Sequence, residues 1–181
     1  HQLYHTFKTV SKSKDLVNFF LGRMFFADGL NTLFAFAGIY AAGTFGFSLS
    51  DVIVFGIACN ISAGIGAFLL SWLDDLLGPK KLMLMNLFCM ICFTTMILVS
   101  QNVAIFVIFG LSCTFFIGSI QSASRSYLAK VAAPEKRAEM FGFFAFSGKA
   151  TAFAGPFALA QFTYWFGSQR AGIISIIIFF I

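Results

Sequence analysis

The sequence predicts an all-α polytopic membrane protein, and three observations carry that prediction. Hydrophobic residues make up 59% of the 181 and charged residues only 10%, where an ordinary soluble domain carries about 25% charged residues. Mean hydropathy is +0.89. The apolar residues gather into six runs, at 16–42, 52–73, 82–99, 105–121, 140–166 and 171–181, and a helix needs roughly 20 such residues to cross the hydrocarbon core. Only helices or a closed barrel satisfy the backbone in lipid, and these runs are continuous rather than alternating in period two, which excludes a barrel. The expected organisation is a cytoplasmic linker over 1–15 and a six-span bundle over 16–181.

Each element has its own sequence reason. The first 15 residues are polar and basic, with no apolar stretch of the kind a signal peptide needs. The first span closes at Gly43-Thr-Phe-Gly46. The second carries Ala58, Ser62 and Gly66 every four residues, a small-residue stripe that lets helix backbones approach closely. Gly38 with Ala42, and Gly148 with Ala152, repeat that spacing in the first and fifth spans. The fifth span follows Pro134-Glu135, a proline suited to a first helical turn and an acid suited to its positive end. Gly155-Pro156 removes a backbone donor inside that span and predicts a kink or break in its outer half. The sixth run holds about eleven residues, roughly half a crossing. With His1 in place of Met, it reads as a chain cut from a longer protein at both ends. The 27 Phe residues are expected to face lipid, and Trp72, Tyr164 and Trp165 to mark the interfaces.

The net charge of +5 reports topology. Lys8, Lys12 and Lys14 precede the first span, Lys80 and Lys81 follow the second, and Arg125, Lys130, Lys136 and Arg137 lie between the fourth and fifth. The links 43–51 and 100–102 carry no Lys or Arg, and the last link carries Arg170 alone. The basic links are therefore cytoplasmic. Charge scattered between spans forms no single basic patch, so nucleic acid is not an expected partner. Cys59, Cys89, Cys92 and Cys113 all fall inside apolar runs, where thiols behave as small hydrophobes. No metal ligand set, phosphate-binding glycine loop or other cofactor motif is present in the sequence.

Polar groups inside spans are the functional candidates, because placing them there costs a few kcal/mol. Asp28 lies about twelve residues into the first run and Lys149 about ten into the fifth, so both are expected roughly 15–18 Å deep. Matched depth suggests that they pair. Asn31 sits one turn from Asp28, and Asn60 and Gln121 add uncharged polar groups. These five residues form the expected substrate or proton pathway. Arg23 is expected to snorkel to the inner interface.

The second link reads Ser71-Trp-Leu-Asp-Asp75-Leu-Leu-Gly78-Pro-Lys80-Lys81. It resembles the loop signature of the major facilitator superfamily, G-x-L-x-D-r-x-G-r-k, with Leu73, Asp75, Gly78 and Lys80 in place. Ser71 replaces the first glycine and Pro79 the arginine. Asp28 to Gly43, Gln121-Ser-Ala-Ser-Arg-Ser126, Pro134-Glu-Lys-Arg-Ala-Glu139 and Ser147-Gly-Lys-Ala-Thr-Ala152 are similar to the vacuole-effluxer branch. That branch contains yeast vacuolar amino-acid effluxers linked to autophagy, together with bacterial relatives.

The resemblance implies the second six-span half of a twelve-span transporter, with a missing N-terminal half as its partner. It implies alternating access around a midplane site, membrane lipid as surroundings, and a small polar metabolite, amino acids first, as substrate. Asp74, Asp75, Gly78, Lys80, Lys81, Arg125 and Arg137 would form the inner gating loops. A bacterial inner membrane is the expected location, a vacuolar membrane the alternative. The competing classes are a membrane-embedded enzyme and a non-transporting scaffold or receptor. Asp28-Gly29 opens a D-G-x-x-A-R phosphotransferase pattern, but Thr32-Leu33 stands where Ala-Arg is required. The spans contain no histidine and no nucleophile–base cluster, so no catalytic residue is expected.

Overall fold

A computed structural model describes residues 14–181; most of the expected linker, with Lys8 and Lys12, lies outside the described residues. The described chain is helical, with α1 (Lys14–Phe45), α2 (Leu49–Leu69), α3 (Ser71–Leu77), α4 (Pro79–Val99) and α5 (Val103–Val131). A 3-10 turn (Pro134–Lys136) leads into α6 (Arg137–Ala150), α7 (Ala154–Phe166) and α8 (Gln169–Ile178). Four stretches are long and apolar enough to cross a membrane: Lys14–Phe45, Leu49–Leu77, Pro79–Val99 and Val103–Val131.

Local chemistry sets the boundaries. Ser48 and Asp51 form a reciprocal capping box at the start of α2. Asn102 caps α5 through the Ala104 amide at 2.8 Å. Gly78 takes φ +80° and ψ 151° between α3 and α4, a conformation restricted to glycine, and Pro79 opens α4. The predicted fourth span ended at residue 121, yet α5 runs on to Val131. Its polar last turns remain helical because nothing breaks the backbone before Ala132, Ala133 and Pro134. Similarly, the loop signature is largely helical, with α3 filling most of the second link.

The fifth span is broken as predicted, and the break lies just ahead of the Gly-Pro pair. Helix α6 ends at Ala150 and α7 starts at Ala154. A proline clashes with the carbonyl four residues earlier. For Pro156 that is Ala152, inside the interruption.

Helix α5 packs against α2 on one side and α4 on the other, and α1 against the α6–α7–α8 face. A Cβ on Gly66 would collide with the Phe115 carbonyl, and one on Gly118 with the Ala63 carbonyl. The α2 and α5 backbones are thus in direct contact, and Ser62 Oγ donates to the Leu111 carbonyl at 2.8 Å across them. The opposite face of α2 exposes Ile53, Ile57, Ile61 and Ile65. The core is layered along the bundle. Leu16, Phe20, Leu128, Met140 and Phe144 fill the inner end. Phe26, Leu30, Leu82, Met90, Ile117, Ile120 and Ile176 fill the middle. Tyr40, Phe55, Cys59, Ile97, Phe106 and Ile173 fill the outer end.

Phenylalanine does not simply face lipid, as composition suggested. Phe20, Phe26, Phe55, Phe106, Phe144 and Phe180 are buried, and Phe106 packs against Tyr40, Phe45, Phe47 and Phe55. Bulky rings fill interior gaps as well as outer surface, because packing holds membrane helices together. Trp72, Tyr164 and Trp165 are exposed at helix ends.

Candidate functional site

Two neighbouring features involve the intramembrane polar residues. The first is the junction between α1 and the broken span. Asp28 is wholly buried, and its Oδ2 accepts from the Gly155 amide of α7 at 2.7 Å. Thr151 Oγ1, within the break, donates to the Met24 carbonyl of α1 at 3.1 Å. A helix start carries unsatisfied amides and a partial positive charge, and in lipid only protein groups can satisfy them. Asp28 supplies that acceptor from another helix. Gly155 is required by the approach: a Cβ there would overlap Thr32 Oγ1 and lie 3.1 Å from Asp28 Oδ1. Thr32 Oγ1 donates back to the Asp28 carbonyl at 2.8 Å.

This arrangement corrects the expected Asp28–Lys149 pair. Both α1–span contacts join residues 127 apart, so the two helices run parallel in that register. Lys149 then lies level with Gly22, about 9 Å inward of Asp28 along the axis. Lys130 of α5 pairs with Asp74, at 3.8 Å.

The second feature is a cleft of about 390 Å³ between α1, α5 and α6. Asn31, Gln121 and Lys149 line it together, as do Arg23 and Arg125. Phe26, Phe141 and Phe144 supply apolar wall. The Arg23 guanidinium carbon sits 3.4 Å from the Phe144 ring centroid. Asn60 is set apart from this group. It lies exposed on α2, and its Nδ2 donates to the Gly56 carbonyl of its own helix at 2.8 Å. Its neighbour Cys59 points into the α5 contact, and one helical step turns Asn60 about 100° away.

The gating-loop candidates divide. Asp74 is buried and held by Lys130 of α5, whereas Asp75 is exposed beside it. Gly78 makes the turn, Lys80 and Lys81 follow it exposed on α4, and Arg137 opens α6. Arg125 belongs to the cleft.

Sequence reasoning passed over Thr32 and Asn86. Asn86 is wholly buried, and its Nδ2 donates to Ser119 Oγ at 2.9 Å between α4 and α5. An Asn inside an apolar run was the available signal. An apolar cavity of about 230 Å³ toward the outer end, between Tyr40, Phe55, Cys59, Thr94 and Cys113, contains none of the predicted pathway residues.

Membrane-spanning helices, a half-helix junction and a polar inner cleft define the class, a polytopic helical membrane protein built like a transporter half. The chain belongs to the family described as Vacuole effluxer Atg22 like, in the major facilitator superfamily, which matches over residues 1–181. It is 23% identical over 180 residues to a Bacillus subtilis (strain 168) protein named as an uncharacterized MFS-type transporter, YxiO. That match covers 99% of this chain and 42% of the relative, so the chain spans less than half the relative's length. No solved structure matches it.

Proposed function

We propose that this chain is the C-terminal half of a secondary active transporter that moves a small polar metabolite, amino acids first, by alternating access. The observation that carries the reading is the polar cleft between α1, α5 and α6 in an otherwise apolar bundle. Membership of the effluxer family supports it. Asn31, Gln121 and Lys149 would contact substrate there. Asp28 would act behind the cleft, fixing the junction between the half-helices to α1. A further six-span half would close the cleft's open side and receive the loop around Asp75 and Gly78. Transport needs no covalent chemistry from the chain, so the protein would not be an enzyme. The bacterial relative favours a bacterial inner membrane, with a vacuolar membrane as the alternative.

Reconstitution of the full-length protein in liposomes tests this reading. Radiolabelled amino acids, organic acids and sugars are screened for saturable counterflow. At least one should exchange, and Gln121→Ala should weaken its apparent affinity. A folded, correctly inserted protein that exchanges none of them would overturn the proposal.

A further inference from the structure

We infer that the α1–α5–α6 cleft selects a solute of net negative charge, its oxyanion group held by Arg23, Arg125 and Lys149. The inference deepens the transport reading and rests on it. Three cations line the cleft, and none of its lining residues is acidic. Like charges gathered beside a low-dielectric bundle repel one another, and an entering anion relieves that repulsion. Asp28, on the same helix, is engaged with the Gly155 amide and does not line the cleft.

Arg23 is built into the site. Its guanidinium lies over the Phe144 ring at 3.4 Å. Its edge runs past the bare backbone of Gly148, where a Cβ would stand 3.0 Å from Nη2. A stacked guanidinium keeps its donors in one plane, open at the edge and matched to a carboxylate or phosphate. Its Nε is buried without a hydrogen-bond partner. Arg125 and Lys149 are exposed in the cleft wall and free to converge on the same anion. Asn31 and Gln121 each offer a donor and an acceptor to the uncharged remainder of the solute. A carboxylate is the first candidate, because the planar fork fits it bidentately.

The test uses the full-length protein in proteoliposomes, with glutamate, succinate, inorganic phosphate, leucine and glucose as probes. Saturable flux and ligand-dependent thermal stabilisation are both read. Glutamate or succinate should exchange and stabilise, and leucine and glucose should do neither; phosphate in their place would identify a phosphoryl oxyanion and equally support the charge selection. Arg125→Gln and Lys149→Gln should each weaken the apparent affinity by roughly 10- to 100-fold, as expected for a lost charged hydrogen bond. Their melting temperatures without ligand should stay near wild type. Arg170→Gln removes the same charge at the far end of the chain's last link and should leave affinity unchanged. Saturable leucine or glucose flux that is indifferent to Arg125→Gln and Lys149→Gln would overturn the anion inference and leave transport standing. Lack of saturable flux for all five, from folded protein, would overturn the anion inference, and the transport reading falls only when the wider screen of amino acids, organic acids and sugars is negative as well.

Discussion

At the scale of single residues, Asp28 shows how a buried carboxylate can tie two helices together. Its Oδ2 satisfies the Gly155 amide, while Oδ1 is buried without a partner. Removing the acceptor strands a buried donor, at a cost of about 1–3 kcal/mol. Asp28→Ala should therefore lower the melting temperature of the detergent-solubilised protein, whereas Asp28→Asn, which keeps a carbonyl acceptor, should retain most of it. Equal losses in the two variants would show that charge rather than hydrogen bonding holds the junction. Gly155 extends the argument. Gly155→Ala should destabilise, because its Cβ overlaps Thr32 Oγ1, and Thr32→Ala should partly restore the double variant by removing that atom. Strictly additive losses in this cycle would rule out the steric account.

At the scale of elements, the α2–α5 pair is the tightest in the bundle, because glycine on each helix meets backbone on the other. Backbone cannot rotate aside as a long side chain can. Gly66→Ala or Gly118→Ala should each cost at least ~1–3 kcal/mol of overpacking, read as lower monodisperse yield and melting temperature. Gly56→Ala on the same helix has open space and should be tolerated. The α3–α4 corner separates two roles that the sequence ran together. Asp74 is tied to Lys130, a partly exposed pair worth about 0–1 kcal/mol. Asp75 is exposed. In the full-length protein Asp75→Asn should slow turnover with little change in apparent affinity, and a variant that loses affinity alone would refute a latch role. Gly78→Ala should cost about 1–3 kcal/mol, since φ +80° with ψ 151° is closed to side chains.

At the scale of the whole molecule, helix lengths fix which links share a side. Helix α4, at 21 residues, spans about 31 Å, so its ends emerge on opposite faces. Single cysteines replacing Lys80 and Asn102 should label from opposite sides of sealed vesicles, with Lys136→Cys on the Lys80 side. Labelling of Lys80→Cys and Asn102→Cys from one side would refute the topology. The register of α1 against the broken span then decides what meets inside. It sets Asp28 against a helix start and places Lys149 with Arg23 and Arg125 in the cleft.

The helical class, the long apolar helices and the break near Gly155-Pro156 were legible in the sequence. They depend on hydropathy and proline placement, each a local property. Of the five polar residues named from the sequence, Asn31, Gln121 and Lys149 line one cleft, and Asp28 and Asn60 do not. What the tertiary structure alone decided was rotation and register. In lipid a buried face and a lipid-facing face are equally apolar, so hydropathy does not say that Phe106 points inward, Ile61 outward, or Asn60 away from the cleft. Depth counted from span ends put Asp28 opposite Lys149. The packed register, about six residues different, gave Asp28 to a backbone amide and left Lys149 in the basic cleft. Close approach at glycine and satisfaction of broken-helix amides set that register, and both are properties of helix pairs rather than of any one segment.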